Sequence, residues 1–352
     1  WLGGLVILVS LCLAHVTHTL VEDPLRQHRP RPRGNDDPVA GARASLRTLP
    51  GVARAVGGVL AAALFTVALA VQPYWDKRVD SAEKALDPVN YPGARAIQGA
   101  QVPDVKPQPD PSLIAGVFPP IGLNDCMIFL PEAPDAMPGP DCTYGDLEAE
   151  TTIVLAGGSH IEPFIVPLDK LGKEHHFKVA TFVRQECPLV VGGPLNPAND
   201  IVSPECAEWG ENAMQEIINL QPDLLVSTST RPAGHAGDGR VSADYVPDAY
   251  ANLWQRLAEL GIPFVGLRDN PWMFTPSGEP MDPNLCVVAG YSEHACSMAA
   301  DMVYAPKDPA AYFLDGAYAQ WEIDTAGWYC VDGLCPPQIG NVYIYRDQNH
   351  IS

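Results

Sequence analysis

Positive charge is scarce in this chain. Its 352 residues hold 22 Lys and Arg against 42 Asp and Glu, a formal net charge of -20 at pH 7. That balance speaks against nucleic acid as a partner, because phosphates require a basic face. Metal-ligand spacing is missing too: there is no Cys-x-x-Cys and no histidine clustering beyond the adjacent His175 and His176, so no metal site is expected. No internal repeat is apparent, which argues against solenoids and propellers. Two stretches lack charge altogether. Residues 1–21 and 55–75 contain no Asp, Glu, Lys or Arg, and at about 1.5 Å of rise per residue each is long enough to cross a hydrocarbon core of about 30 Å.

Both stretches are expected to be membrane-spanning helices. The alternatives are a buried core helix for the first, which carries His15 and His18, and an internal signal segment for the second, which follows Arg54 and contains the small-residue run Ala68-Leu69-Ala70. Between them, residues 22–54 form an arginine- and proline-rich linker expected to stay in the cytoplasm, so that everything after Trp75 lies outside. The outer part then carries 15 basic and 38 acidic residues, a balance suited to a soluble exported domain and unsuited to adhesion on anionic lipid. Because the chain opens on Trp1 within an apolar run, further sequence is expected upstream. It also stops at Ser352, close behind His350, without a closing helix.

Cysteine usage agrees with export. Cys12 sits in the first apolar stretch, and the other eight fall into close pairs: Cys126 with Cys142, Cys187 with Cys206, Cys286 with Cys296, and Cys330 with Cys335. Four loop-closing disulfides in an oxidising compartment are expected, with nearest-neighbour pairing resting on the short loops.

Residues 76–123 are rich in Pro, Gly and Asp and read as an extracytoplasmic spacer with one short helix near Val79–Leu86. From 124 to 352 strand and helix signals alternate. Strands are expected at Thr152–Ala156, Lys178–Val183, Asp223–Thr228, Pro263–Leu267 and Val342–Tyr345. Helices are expected at Ile161–Glu174, Pro204–Leu220, Asp244–Leu260 and Pro309–Trp321. This alternation predicts an α/β fold with a doubly wound, mostly parallel sheet, which binds ligands beyond the carboxyl ends of its strands.

Two of those ends carry the chemistry. In TTIVLAGGSHIEPF, Thr151 to Phe164, an apolar strand runs into Gly157, Gly158 and Ser159 and then a helical pattern. In VYIYRDQNH, Val342 to His350, a second strand runs into Asp347 and His350. Serine, aspartate and histidine supply the nucleophile, orienting acid and general base of acyl transfer. Taken alone, a serine after two glycines is usually a helix cap and an Asp-x-x-His usually a solvated turn; their co-occurrence at two strand ends, with the landmarks of a known family between them, reverses those odds.

These segments, together with Cys187-Pro188, Cys206 to Trp209 and GIPFVGLRDNP at Gly261 to Pro271, resemble the SGNH (GDSL-like) hydrolase domain in the form fused to bacterial acyltransferase-3 membrane proteins. HTLVEDPLR at His18 to Arg26 resembles the end of that membrane domain. The resemblance implies a membrane-tethered O-acyltransferase of the bacterial cell membrane, commonly an O-acetyltransferase. Its donor is acyl-CoA, used indirectly through the upstream membrane domain; its acceptor is an envelope glycan or glycolipid; its partners are that membrane domain and the lipid bilayer. No bound cofactor is expected. Ser159 would be the nucleophile, His350 the general base and Asp347 its orienting partner, with the Ser159 N–H in the oxyanion hole and Gly192 and Gly193 as further candidate donors. Asp269, at another strand end, is a candidate for the pocket lining or for a turn. His160, His235 and His294 are expected to be structural or surface residues.

The chain departs from the family pattern twice. Gly158 stands where the family motif has Asp, and Ser227 to Arg231 lack the asparagine found after the third strand in many members. An esterase of the same fold and a catalytically silent glycan-binding domain are therefore kept as alternatives.

Overall fold

The computed structural model describes residues 86–130, 132–192, 203–232 and 243–351, together with 62, 63, 66, 67, 69–71, 73–79 and 81. The first expected span, 1–21, and the linker, 22–54, lie outside the described residues. In the second expected span, 55–75, the described residues are helical, and among the described residues no helix is long and apolar enough to cross a membrane. The chain divides after Arg78 into two compact units, and the second, Val79–Ser352, holds every sheet among the described residues.

This second unit is built on a seven-stranded sheet with strands β1 (Met127–Ile128), β2 (Thr143–Gly145), β3 (Thr152–Gly157), β4 (Lys178–Arg184), β5 (Leu224–Thr228), β6 (Phe264–Leu267) and β7 (Gln320–Ile323). Their order is β1-β4-β3-β5-β6-β7, with every neighbouring pair parallel, and β2 runs antiparallel along the first half of β4. The inner strands are near-continuous runs of buried apolar residues because both faces are covered. On one face pack helices α2 (Pro204–Leu220) and α3 (Asp248–Leu260), whose Trp209, Met214, Ile217, Leu253, Trp254 and Leu257 meet Val154, Leu225 and Phe264. On the other lies α1 (Ile165–His175), where Ile161 and Ile165 meet Leu155, Val179 and Val226.

The helix ends follow local chemistry. Ser203 caps α2 by accepting the Cys206 N–H at 3.2 Å, with Pro204 in the first turn, and Gly261 ends α3 in the left-handed region at φ 69°. Two expected helix starts are corrected: α1 begins at Ile165, not Ile161, behind the 3₁₀ turn Glu162–Phe164, and α3 begins at Asp248, not Asp244, because Pro247 takes the capping position. Asp244 is instead buried against Arg268, at 2.8 and 2.9 Å to Nε and Nη2.

Two further expectations fail. Pro309–Trp321 is no helix: a 3₁₀ turn at Pro309–Tyr312 ends before Gly316, whose φ of 93° turns the chain, and Gln320–Ile323 then forms the edge strand β7. Val342–Tyr345 does not join the parallel sheet. Only Val342–Tyr343 is extended, and it pairs antiparallel with Gln338–Ile339 in a separate hairpin. The two-residue turn explains this, since Gly340 and Asn341 both have positive φ (55° and 64°), the geometry that matches a hairpin's twist.

Much of the expected spacer packs on the domain. Gln108 forms a bridge with Val342, and the Asn341 side chain donates to the carbonyls of Asn90 (3.0 Å) and Pro103 (2.7 Å). All four expected disulfides are present. Cys126–Cys142 ties together the entries to β1 and β2, which share one edge of β4, and Cys187–Cys206 ties the loop after β4 to the first turn of α2.

Candidate active site

From β3 the chain moves to β4 on one side and then crosses back to β5 on the other, so the sheet's winding reverses at β3. Gly157 closes the strand at φ 147°, and a side chain there would press on Ser227 Oγ at 3.2 Å. The next two residues form a tight turn, with Ile161 N–H donating to Gly158 O and Glu162 N–H to Ser159 O, which lifts the Ser159 side chain above the sheet. Among the described residues, the Ser159 N–H donates to no protein acceptor.

The Asp347–His350 loop reaches the same place from the C-terminal hairpin. Three residues from the long connection after β6 hold it or its neighbours. Asn270 donates to Asn349 O (2.7 Å), Asn284 donates to Tyr345 O (2.6 Å), and Met273 contributes its backbone N–H to Gln348 O (2.7 Å). Beneath it Tyr345 and Ile351 are buried with Met273, Phe274 and Tyr304. A second strut runs underneath: Glu162, in the turn that follows Ser159, is fully buried and faces Arg346, next to Asp347, at 3.5 Å.

So placed, the three expected residues form a continuous relay. Ser159 Oγ lies 2.7 Å from His350 Nε2, and His350 Nδ1 lies 2.8 Å from Asp347 Oδ2. Asp347 Oδ1 also accepts the N–H groups of Asn349 (2.9 Å) and His350 (2.8 Å). Burial pushes the Asp347 carboxyl up, but the His350 hydrogen bond, the two backbone donors and the charge of His350 outweigh it and hold the group at about 2. An ionised Asp347 accepts only, so the imidazole proton belongs on Nδ1 and Nε2 is left to accept from the Ser159 hydroxyl. The relay opens into a cleft of about 680 Å³ lined by residues from the ends of β3, β5 and β6.

Asp269 also lines this cleft. It is buried, and its carboxylate takes hydrogen bonds from the Trp272 indole (3.1 Å) and the Asn270 N–H (2.9 Å). Gly192 does not. It lies in a separate groove with Asn252 and Arg256, and its N–H is taken by Glu211 at 2.7 Å, so it offers no oxyanion donor to Ser159. Gly193 and His235 lie outside the described residues. His160 departs from expectation: it faces the cleft and pairs with Asp269 at 2.8 Å. Trp272 and Arg231 line the cleft as well, with the guanidinium 5.8 Å from the indole ring centre. Position next to Ser159 was the one sequence signal for His160; its partner is 109 residues away. At Gly158 an added Cβ would stand 3.4 Å from the Cys187 carbonyl oxygen, so the wall opposite the missing motif carboxylate is an acceptor.

No curated protein matches the chain. Among solved structures, the periplasmic domain of a lipopolysaccharide acetyltransferase from Salmonella ser. Paratyphi A aligns over 58% of this chain and 79% of that one, at 12% identity and a TM-score of 0.40. The family model for the SGNH domain fused to AT3 domains matches residues 126–352, a span that contains the whole sheet and all three members of the relay. The chain therefore belongs to the family of SGNH domains fused to AT3 domains.

Proposed function

We propose that this domain is an O-acyltransferase that works through a Ser159 acyl-enzyme on an extracytoplasmic envelope glycan, with acyl-CoA as the indirect donor through an upstream AT3 membrane domain. The observation that carries the reading is the unbroken Ser159–His350–Asp347 relay at 2.7 and 2.8 Å at the foot of an open cleft. A catalytically silent domain has no need of it. The fused-domain family supports transfer from a membrane partner over simple hydrolysis, and four disulfides suit an extracytoplasmic compartment.

In this mechanism Ser159 Oγ attacks the acyl carbonyl while its proton passes to His350 Nε2, and Asp347 stabilises the imidazolium. The Ser159 N–H donates to the developing oxyanion. The imidazolium returns its proton to the leaving group. An acceptor hydroxyl then attacks the acyl-enzyme, giving its proton to His350, which passes it to Ser159 Oγ as that oxygen leaves. The reading is tested with a chromogenic acetyl ester and intact-mass analysis. The purified protein should cleave the ester and carry an acetyl group on Ser159, and S159A should do neither. A folded protein with no turnover and no adduct would refute it.

A further inference from the structure

The relay is not alone in the cleft. His160 follows Ser159 directly, its side chain is 12% exposed, and its Nδ1 lies 2.8 Å from Asp269 Oδ1. Asp269 is itself fixed from several directions. Its carboxylate takes the Trp272 indole N–H (3.1 Å) and the Asn270 N–H (2.9 Å), its own N–H donates to Thr230 Oγ1 (3.1 Å), and the Tyr304 hydroxyl donates to its carbonyl (2.8 Å). Burying a carboxylate is costly unless every oxygen is served, and here the service converges on one imidazole. That imidazole packs tilted on Trp272 (4.9 Å between centres) and edge-on to His350 (5.0 Å). Two imidazole–carboxylate pairs thus stand side by side at one serine, and the acyl-enzyme chemistry uses only one of them.

In neutral His160 the carboxylate of Asp269 keeps the proton on Nδ1, which leaves Nε2 as a hydrogen-bond acceptor. Among the described residues Nε2 has no hydrogen-bond partner, and the residue faces the cleft. The ligand that Nε2 suits is therefore a donor, such as a hydroxyl. The charge of the cleft narrows the class further. Glu186, Glu205, Asp269 and Asp347 line it against Arg231 as the one cation among the described lining residues, an environment that favours an uncharged polyol over a phosphate or carboxylate.

We propose that His160, held by Asp269, is the acceptor-binding residue of the domain. It takes the hydroxyl next to the one that reacts, so the acceptor is a neutral sugar presenting a vicinal diol. One hydroxyl gives its proton to His350 as it attacks, and the neighbouring one donates to His160 Nε2 at the ordinary length of about 2.8 Å. This fixes the attacking oxygen over the acyl carbon and favours transfer over hydrolysis, since water can fill only one of the two places. The inference rests on the acyl-enzyme reading of Ser159.

The experiment compares partitioning of the acyl-enzyme in the full chain. With a chromogenic acetyl ester as donor, mass spectrometry measures acetyl transfer to 1,2-cyclohexanediol, methyl glucopyranoside and cyclohexanol, alongside acetate released to water. The wild type should favour each diol-bearing acceptor over cyclohexanol by about tenfold, the worth of one well-placed hydrogen bond. H160F should lower the ratio of transfer to hydrolysis for the diols by about tenfold, to the level of cyclohexanol. D269N, which donates to Nδ1 and moves the proton to Nε2, should shift the ratio in the same direction. Equal use of diol and mono-alcohol by the wild type overturns the proposal without any variant, and so does a transfer-to-hydrolysis ratio in folded H160F within about twofold of wild type. Absence of a Ser159 adduct in the wild type overturns the acyl-enzyme reading and this inference together; an adduct with unchanged partitioning overturns this inference alone.

Discussion

Glu162 offers a sharp test of the strut beneath the relay, through its replacement by glutamine. The side chain is fully buried, its nearest cation is Arg346 at 3.5 Å, and neither carboxylate oxygen has a close hydrogen bond among the described residues. Burial pushes its carboxyl from 4.5 up to about 7, offset in part by the charge of Arg346 and the nearby Gly122 N–H. At 1.36 kcal/mol per pKa step, that difference favours the neutral acid in the fold by about 3 kcal/mol. Below pH 4.5 both folded and unfolded chains are protonated at this position and the group contributes nothing to the pH dependence. As the pH rises from 4.5 to about 7, the unfolded chain gives up its proton while the folded one keeps it, so stability falls; above about 7 the loss is complete. Glutamine removes the titration and keeps the shape. The stability of E162Q minus that of wild type should therefore climb by about 3 kcal/mol between pH 4 and pH 8. Asp308, pushed by its burial from 3.8 up to about 7, titrates in both proteins and cancels in the difference. The assay is denaturant unfolding followed by tryptophan fluorescence with the disulfides intact. A difference that stays flat across this range would show that Arg346 keeps Glu162 ionised throughout and would refute the reasoning.

Other perturbations have distinct signatures. D347N leaves Asn beside His350 Nδ1, favours the wrong tautomer, and should lower kcat for ester cleavage by roughly 10³–10⁴ with little change in KM. In the wild type the stabilisation from Asp347 is present above pH 3.8 and is lost as the pH falls through about 2, so acid unfolding of D347N should lack that component. R268M strands Asp244, buried and bonded to Arg268 through two oxygens, and should cost about 3–5 kcal/mol in denaturant unfolding. Breaking Cys187–Cys206 with two serines opens a 19-residue loop that backs onto Gly158; it should cost about 3 kcal/mol and lower kcat beyond what unfolding explains. G158A meets ordinary contact distances and should keep activity within about threefold, whereas G158D sets a carboxylate against the Cys187 carbonyl, and that unpaired acceptor should cost about 1–3 kcal/mol.

What was legible in the sequence was local. The apolar run before Gly157-Gly158-Ser159, the Ser203-Pro204 and Gly261 helix boundaries, and the closely spaced cysteines each carry their signal within about twenty positions, and the structure keeps them all. Edge strand β7 was missed because only Gln320 of its four residues is buried and its pattern resembles the end of an amphipathic helix. The Gly340-Asn341 turn was a readable hairpin signal that Val342–Tyr345, taken as one strand, concealed. His160–Asp269, Glu162–Arg346 and the displacement of Gly192 depend on which loops meet above the sheet, and no local pattern encodes that.

The longest of the four disulfides joins cysteines 19 residues apart, while the hydrogen bond between nucleophile and base spans 191 positions. Each bridge can close within its own supersecondary unit, early and at small loop-entropy cost. The serine and its base, by contrast, are brought together only by the tertiary packing of the C-terminal loop over the end of β3. A fully oxidised chain is thus not yet a competent one, and the reactive hydroxyl stays idle until the last tertiary contacts form. On the proposed reading, catalytic competence reports on completed assembly of the domain.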